Sequence, residues 1–346
     1  MPFFSQFFKF GWWILNEIMK FLDLFAGIGG FRLGMEAAGH ECVGFCEIDK
    51  FARKSYKAIH DTEGEIELHD ITEVSDDTIR GIGRVDIICG GFPCQAFSIA
   101  GKRQGFEDTR GTLFFEIARF ASILRPRLLF LENVKGLLNH DKGNTFETIL
   151  SALDELGYDV EWQVLNSKNF GVPQNRERVF IIGHLRGECT GRIFPIGRNT
   201  KQAYELPREN ITTNTLTARY GAAQSNGSYI IESEQKKIRI KEATSRGYAE
   251  ATIGDSVNLS HPNSKTRRGR VGKQIANTLL TGESQGVVEP DFRIRKLTPK
   301  ECWRLQGFPD WAFDKAQEVN SNSQLYKQAG NSVTVNVIEA IAKELK

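Results

Sequence analysis

The chain has 346 residues, of which 40% are hydrophobic and 25% are charged, and its net charge is only +2. This balance is typical of a globular protein with room for two domains, and it excludes a disordered chain or one that binds nucleic acid through an overall basic charge. The six cysteines include no Cys-x-x-Cys pair, which argues against a zinc site or a disulfide framework and favours a reducing, cytoplasmic setting.

The first eighteen residues are strongly apolar and rich in Phe and Trp. Lys9 and Glu17 interrupt this run, which is too short to span a bilayer comfortably, and no small-residue cleavage site follows it. We therefore interpret residues 1–18 as an upstream extension, either disordered or a product of a misassigned start. The first domain is expected to begin at Met19, and no membrane association is expected.

From Lys20 to about Gly187 apolar runs alternate with helical patterns, at the spacing of a doubly wound α/β domain. The predicted strands cover residues 21–25, 42–47, 85–89, 128–131 and 179–184. The predicted helices cover residues 31–38, 50–60, 113–124 and 145–156. After Gly187 the chain becomes rich in Thr, Ser, Gly, Asn and Arg with weak periodicity, which indicates a second, irregular domain. A closing amphipathic helix is predicted over residues 332–345.

A glycine turn, Gly27-Ile-Gly-Gly30, follows the first predicted strand and precedes a helix. Glycines let the backbone approach a ligand closely, and a helix N-terminus offers free N–H groups to an anion. The spacing G-x-G-G, rather than G-x-G-x-x-G, argues against a dinucleotide. Glu47, at the end of the next strand, is placed to accept both ribose hydroxyls, and Asp70 to accept from an adenine amino group. Together these residues favour recognition of an adenosine.

Cys94 follows the apolar run at 85–89, after paired glycines and a proline that turn the chain sharply. In open α/β sheets the carboxyl edge of the strands is where ligands bind. Glu132 ends a second apolar run and should reach the same edge. A thiol beside a proton donor can attack an electron-poor ring and stabilise the resulting charge. A buried structural cysteine is the alternative, but the surrounding pattern favours a nucleophile.

Six segments of the chain resemble motifs of the C5-cytosine DNA methyltransferases, and they occur in the same order along the chain. The segments that carry the resemblance are residues 21–30, 90–98, 132–134, 174–178, 295–309 and 330–333. Only the N-terminal extension and a basic middle region lie outside it. The resemblance implies an α/β fold: a doubly wound, Rossmann-like S-adenosylmethionine-dependent methyltransferase core with a smaller, irregular β-rich target-recognition domain.

The resemblance further implies S-adenosyl-L-methionine as methyl donor, cytosine in double-stranded DNA as acceptor, and no metal. The cofactor residues expected are Asp23, Phe25, Ala26, Gly27, Gly29, Gly30, Glu47, Ile48, Asp70, Ile71, Leu113, Asn331, Ser332 and Val333. The stretch 236–273 holds ten Lys or Arg against three acids, which favours a phosphate-binding face. The DNA contacts expected are Ser98, Lys102, Arg103 and Gln104 near a closing loop, and Arg219, Lys236, Lys237, Arg267, Arg268 and Arg270.

The same resemblance implies a mechanism. Cys94 attacks C6 of the cytosine as a thiolate, and Glu132 hydrogen-bonds to or protonates N3. Arg176 and Arg178 hold the cytosine O2 and the neighbouring backbone or acid. Because a stacked base is inaccessible, the cytosine must be flipped out of the duplex, and residues 99–110 are expected to close over it.

The expected domains are an extension (1–18), a catalytic and cofactor-binding domain (19–187), a target-recognition domain (188–323) and a C-terminal helix that returns to the catalytic domain (324–346). The enzyme is expected to be a monomer, and any cognate restriction endonuclease to act separately. The alternative functions are the same chemistry on tRNA, an inactive DNA-binding regulator, and a nicotinamide-dependent oxidoreductase. The basic insert favours DNA over tRNA. An inactive regulator is disfavoured by the intact Pro93-Cys94, Glu132, Arg176 and Arg178, and an oxidoreductase by the glycine spacing and the Pro-Cys-Gln nucleophile.

Overall fold

The computed structural model of the protein describes residues 17–93, 113–188, 190–196, 237–262, 264–282 and 284–345. Seven of the predicted site residues lie outside these ranges: Cys94, Ser98, Lys102, Arg103, Gln104, Arg219 and Lys236. The predicted closing loop and all but the last two residues of the N-terminal extension lie outside them as well. Among the described residues, no helix is long and apolar enough to cross a membrane.

A seven-stranded sheet forms the centre of the large domain. Its strands are β1 (Lys20–Leu24), β2 (Glu41–Cys46), β3 (Ile66–Leu68), β4 (Ile87–Gly91), β5 (Leu128–Val134), β6 (Tyr158–Asn166) and β7 (Glu177–Leu185). Their order is β3-β2-β1-β4-β5-β7-β6. The first five are parallel, while β7 runs antiparallel to both β5 and β6. Because the order reverses between β1 and β4, the sheet has its switch point there, where doubly wound folds bind ligands.

Helices cover both faces of this sheet, so the predicted doubly wound α/β fold is confirmed. In chain order, the α-helices of the described residues are α1 (Gly30–Ala37), α2 (Lys50–Ile59), α3 (Asp76–Gly81), α4 (Leu113–Leu124), α5 (Asn144–Glu155), α6 (Pro299–Leu305), α7 (Asp310–Val319), α8 (Asn322–Asn331) and α9 (Val335–Ala342). Helices α4 and α5 fill the core on one face, and α1 and α9 fill it on the other. A Cβ on Gly34 of α1 would lie 2.6 Å from the Cβ of Ile338, so the C-terminal helix packs directly on α1.

Two small antiparallel sheets follow the large one in the chain. Strands β8 (Ile238–Lys241) and β9 (Tyr248–Ala251) pair with each other, and β10 (Ser256–Asn258), β11 (Val271–Gly272), β12 (Gln285–Val288) and β13 (Ile294–Lys296) form the other sheet. Their apolar side chains form a small separate core. Helices α6 to α8 share a different core with Ile28 and Ile59 of the large domain. Leu279 and the chain from Leu297 onward contribute to this core, so residues 297–319 pack on the large domain rather than on the small sheets.

Candidate active site

The glycine turn after β1 opens toward solvent at one residue. Phe25, Gly27 and Gly29 all have positive φ angles, of 57°, 59° and 82°. The amide of Ala26, a buried residue, donates to the carbonyl of Cys46 at 3.0 Å, which fixes the turn against β2. A Cβ on Gly27 would meet nothing within 4 Å. This open side is where a ligand can approach the backbone.

The other two glycines of the turn face protein. A Cβ on Gly29 would lie 2.0 Å from Nε2 of His60, and one on Gly30 would lie 2.8 Å from Oγ of Ser332 and from Cγ2 of Val333. Ser332 and Val333 are both buried, whereas the preceding Asn331 is exposed. Burial lowers the pKa of His60 to about 3, so its imidazole is neutral. Two expected cofactor residues, Ser332 and Val333, therefore lie against the turn.

Glu47 directly follows β2 and reaches back to the turn. Its Oε2 accepts the Gly27 amide at 2.8 Å, and its Oε1 accepts the Asp49 amide at 2.7 Å. Burial raises the pKa of this carboxyl, while the two amide donors oppose the rise. Ile48, the next residue, is 65% exposed beside it. A carboxylate and an exposed apolar side chain at the end of one strand can bind a sugar hydroxyl and an aromatic ring.

Asp70 is half-buried after β3, and its Oδ1 accepts the amide and the hydroxyl of Thr72, at 3.0 and 2.7 Å. These bonds hold the pKa of its carboxyl below the usual value. Ile71 is buried in the core, and Leu113 at the start of α4 is half-buried against the same core.

Asp23 lies within β1 and is fully buried, unlike the other expected cofactor residues with a carboxyl group. Neither of its carboxyl oxygens has a hydrogen-bond partner among the described residues. Burial raises its pKa to about 8, and the charge of Arg32 opposes this rise only in part. Its side chain is therefore closed off from solvent within β1, between Phe45 of β2 and Cys89 of β4 in register.

Glu132 and Arg178 form an ion pair at the carboxyl end of β5. Arg178 Nε lies 3.0 Å from Glu132 Oε1, and Glu132 is 7% exposed. Glu132 is paired in register with Gly91 of β4, two residues before Pro93, so it borders the strand that leads to Cys94. Burial raises the pKa of Glu132, while Arg178 and Arg176 oppose this. A carboxyl whose pKa is raised keeps its proton to higher pH than a free carboxyl does, which suits it to donate that proton.

Arg176 is buried and binds main-chain carbonyls. The side chain is 3% exposed. Its guanidinium donates to the main-chain carbonyls of Leu279, Gly330 and Ser332, at 3.5, 3.2 and 2.8 Å. Arg178 thus contacts the neighbouring acid and Arg176 the neighbouring backbone, and the charge of Arg176 also acts on Glu132. The expected contact of these arginines with the cytosine O2 stays a prediction.

Comparison with known proteins identifies the family. The family model for C-5 cytosine-specific DNA methylases matches residues 19–346. The chain belongs to this family. It is 40% identical to the type II methyltransferase M.HpaII of Haemophilus parainfluenzae over 342 residues, covering 96% of this chain and 90% of that protein. It is 38% identical to the type II methyltransferase M.HhaI of Haemophilus parahaemolyticus, covering 94% and 93% of the two chains.

Solved structures agree on the fold. A DNA modification methyltransferase encoded within a prophage of E. coli matches with a TM-score of 0.60 at 22% identity, covering 94% of this chain and 98% of that one. Spodoptera frugiperda DNMT2 matches with a TM-score of 0.56 at 19% identity, covering 94% and 99%. The predicted fold class and the prediction of a DNA (cytosine-5-)-methyltransferase are thus confirmed.

The four expected DNA contacts that lie within the described residues fall into two groups. Lys237, half-buried Arg267 and exposed Arg268 lie at or near the surface, and Lys237 pairs with Glu250 at 2.9 Å. Arg270 is 6% exposed, and its guanidinium donates to the carbonyls of Asn258 and Lys241, at 2.9 Å each. This position does not support the expected phosphate contact, because the guanidinium is enclosed by the small sheets.

Sequence reasoning missed two residues that position the site. Asn133 donates from its side chain to the carbonyl of Phe92 at 2.9 Å. His60 lies under Gly29 of the glycine turn. Asn133 follows Glu132 directly, and its motif could have suggested a role, whereas His60 ends a helix and gives no signal in the sequence.

Proposed function

We propose that this methylase transfers a methyl group from S-adenosyl-L-methionine to C5 of a flipped-out cytosine in a specific short sequence of double-stranded DNA, through a covalent bond between Cys94 and C6. The observation that carries the proposal is the Glu132–Arg178 ion pair, with its 3.0 Å contact, at the strand that neighbours β4. It supplies an acid of raised pKa next to the strand that leads to the nucleophile.

The residues around the glycine turn fit S-adenosylmethionine. Gly27 borders open space, the Glu47 carboxylate lies at the adjacent strand end, and Ile48 is exposed beside it. Glu47 would accept the ribose hydroxyls, Ile48 would cover the adenine ring, and Asp70 would accept from the adenine amino group. When bound, the cofactor supplies the methyl group. Phe25, Ala26, Gly29, Gly30, Ile71, Leu113 and residues 331–333 would shape the site around it, while Asp23 would act from within β1, where it is buried.

Each step on the cytosine is assigned to a group of this chain. The Cys94 thiolate adds to C6, which makes C5 nucleophilic enough to take the methyl group. The Glu132 carboxyl gives a proton or a hydrogen bond to N3, where negative charge builds, and Arg178 orients that carboxyl. Loss of the C5 proton and departure of the thiolate then restore the aromatic ring. Arg178 is the arginine we assign to the base.

We propose a recognition domain from residue 188 to about 296, since the chain packs on the large domain after that point. Lys237, Arg267 and Arg268 would bind phosphates, and Ser98, Lys102, Arg103, Gln104, Arg219 and Lys236 are proposed DNA contacts from the sequence alone. We further propose a monomer that acts on DNA in the cytoplasm, with any restriction endonuclease of the same specificity acting separately.

The test is transfer of labelled methyl from S-adenosylmethionine to duplex DNA, to tRNA, or to neither, followed by bisulfite sequencing of the DNA. Transfer to specific cytosines in DNA is expected. The Cys94→Ser variant should lose all transfer while it still binds the cofactor, and DNA with 5-fluorocytosine at the target should trap a denaturant-stable adduct, because no proton can leave C5. Labelling of tRNA alone, or full activity of Cys94→Ser, would contradict the proposal.

A further inference from the structure

An ion pair joins two helices that are far apart along the chain. Lys327 Nζ of α8 lies 2.7 Å from Oδ2 of Asp49, the residue that precedes α2, and the two residues are 278 positions apart. Neither residue is among those expected to bind the cofactor. Each lies close in sequence to residues that are, because Glu47 and Ile48 come directly before Asp49, and Asn331 follows Lys327 by four positions.

On one side of the ion pair, Glu47 and Ile48 are tied to the start of α2. The Asp49 amide donates to Glu47 Oε1 at 2.7 Å. Arg53 Nη1 donates to the carbonyls of both Glu47 and Ile48, at 2.7 Å each. Asp49 itself caps α2, since its Oδ1 accepts the Phe51 amide at 2.8 Å. A shift of Asp49 is therefore passed on to Glu47 and Ile48.

On the other side, α8 connects the start of α2 to the glycine turn. Gln328 is buried, its Oε1 accepts the Ser55 hydroxyl at 3.0 Å, and its Nε2 donates to the Phe51 carbonyl at 3.1 Å. The main-chain carbonyl of Gln328 accepts the Ser332 amide at 3.0 Å. Because Ser332 lies against Gly30, the position of α8 also sets the position of this side of the turn.

The expected cofactor residues thus stand on two walls, with residues 47–48 on one and residues 331–333 on the other. Lys327 and Asn331 lie on one face of α8, because residues four apart in a helix lie one above the other. This face is directed at the start of α2, since Lys327 reaches Asp49. The walls are therefore joined in the interior by Gln328 and at the surface by the Lys327–Asp49 ion pair.

We propose that the Lys327–Asp49 ion pair positions Glu47 and Ile48 relative to residues 331–333, and so strengthens the binding of S-adenosylmethionine without contacting it. The inference rests on the proposed function, from which it takes the cofactor. When the ion pair is formed, the two walls are held at a fixed separation before the cofactor arrives. Less ordering is then needed on binding, which is the general advantage of a preorganised site. Lys327 and Asp49 are positioning residues, not catalytic ones.

The test measures the Kd of S-adenosylmethionine by calorimetry in variants that break the ion pair. Lys327→Met removes the cation, while Asp49→Asn removes the anion and can still cap α2. Each variant should raise the Kd about 3- to 5-fold, as expected for a partly exposed ion pair. The double variant should raise it no further, because the pair is already broken in each single one. Lys327→Arg, which keeps the charge, should restore most of the affinity.

The matched control is Lys57→Met. Lys57 Nζ lies 2.7 Å from Glu67 Oε2, and these side chains are 49% and 30% exposed, compared with 45% and 28% for Lys327 and Asp49. The control pair has the same length and nearly the same exposure, but it joins α2 to β3 instead of α8. Its loss should therefore leave the Kd of S-adenosylmethionine unchanged.

A merely structural role for Lys327 predicts a different result. In that case Lys327→Met and Lys57→Met would lower the thermal stability alike, and both would keep the Kd of the unmodified enzyme. That outcome, or losses of affinity that add in the double variant, overturns the proposal. A second readout is kinetic. The KM for S-adenosylmethionine should rise with the Kd, and a lower kcat with an unchanged KM would overturn the proposal as well.

Failure of the proposed function is a separate result. It would show as absent methyl transfer to DNA by the unmodified enzyme, whereas the Kd of the cofactor is measured without DNA. If Lys327→Met does not fold, Asp49→Asn and Lys327→Arg decide the question.

Discussion

Asn133 donates a hydrogen bond from its side-chain amide to the main-chain carbonyl of Phe92, at 2.9 Å. Phe92 lies two residues before Cys94 in the sequence. The Oδ1 atom of Asn133 accepts the Val134 amide at 2.8 Å, which fixes the orientation of its side chain. The strand end that carries the acid, Glu132, thus holds the strand end that leads to the nucleophile.

Removing this bond should slow catalysis more than it weakens cofactor binding. Asn133→Ala leaves the Phe92 carbonyl without its donor in a buried setting, a cost of about 1–3 kcal/mol. It also removes a restraint on the segment that leads to Cys94. Small misplacements of reacting groups can slow a reaction by about 100-fold. We expect single-turnover methyl transfer to fall at least tenfold, with the Kd for S-adenosylmethionine nearly unchanged. Asn133→Asp, which cannot donate when ionised, should behave alike, and normal rates in both variants would refute this role.

The close packing of His60 against Gly29 leads to a second prediction. Gly29→Ala should lower the free energy of unfolding strongly, because its Cβ would lie 2.0 Å from His60 Nε2 and its φ is +82°. The double variant Gly29→Ala/His60→Ala removes the clash but keeps the backbone strain, so it should be more stable than the sum of the two single changes implies. Urea unfolding of the four proteins measures this.

Gly27→Ala is the matched control for that cycle. Its φ is +59°, but its Cβ would meet nothing within 4 Å. It should therefore cost only the strain of a left-handed residue, about 1 kcal/mol. Equal losses in Gly27→Ala and Gly29→Ala would show that His60 does not support the turn.

The parts of the fold set by continuous apolar runs were predictable. The predicted strand at 42–47 is β2 (Glu41–Cys46), and the predicted helix at 113–124 is α4 (Leu113–Leu124). Strand β6 was missed, because Tyr158–Asn166 lies at the sheet edge and its charged and polar residues break the apolar pattern. Helices α6 and α7 were not predicted either, because their segments were attributed to the recognition domain. Helix α8 (Asn322–Asn331) lies mostly in the segment 324–346, which was expected to form a single C-terminal helix.

Within the candidate site, position along a strand was predictable but side-chain direction was not. Glu132 and Arg178 do meet. Arg176, two residues earlier, is instead drawn to carbonyls contributed by residues more than a hundred positions away. Arg270, whose basic neighbours suggested a phosphate contact, is likewise bound by backbone carbonyls, those of Asn258 and Lys241, which lie 12 and 29 positions away. Such distant backbone partners leave no local sequence pattern, so composition alone could not separate buried arginines from exposed ones.

Asp23 predicts a pH dependence of stability. Its pKa is raised by burial from 3.8 to about 8, so between these values the native state keeps a proton that the unfolded state loses. The contribution of Asp23 to the free energy of unfolding is therefore fully favourable below about pH 4, and it is lost as the pH rises toward 8. Asp23→Asn lacks this titration. Relative to the unmodified protein, it should gain about 1.4 kcal/mol of unfolding free energy per pH unit between pH 5 and 8. A difference that is constant across this range in urea unfolding would contradict the assignment.

Glu47 and Asp70 should differ as cofactor ligands. Removing a charge-assisted hydrogen bond costs about 1.5–3 kcal/mol, so Glu47→Ala and Asp70→Ala should each weaken S-adenosylmethionine binding by roughly 10-fold or more. Glu47→Ala should weaken binding more than Asp70→Ala, because Glu47 also accepts the Gly27 amide at 2.8 Å and so holds the glycine turn itself. Calorimetry measures both affinities, and unchanged binding in both variants would remove these residues from the site.

The exposed and the buried arginine of the basic stretch provide the last prediction. Removing one cationic side chain that binds a phosphate should reduce the slope of log K against log salt for duplex DNA by about 0.9. Arg268→Gln should therefore weaken binding to all DNA sequences and make the salt dependence shallower. Arg267→Gln and Lys237→Gln should do the same. Arg270→Gln should instead lower the thermal stability, since its guanidinium holds the carbonyls of Asn258 and Lys241, and should leave the slope unchanged. Binding titrations at several salt concentrations distinguish the two effects. If Arg270→Gln lowered the slope and Arg268→Gln did not, the assignment of phosphate contacts to the exposed residues would be wrong.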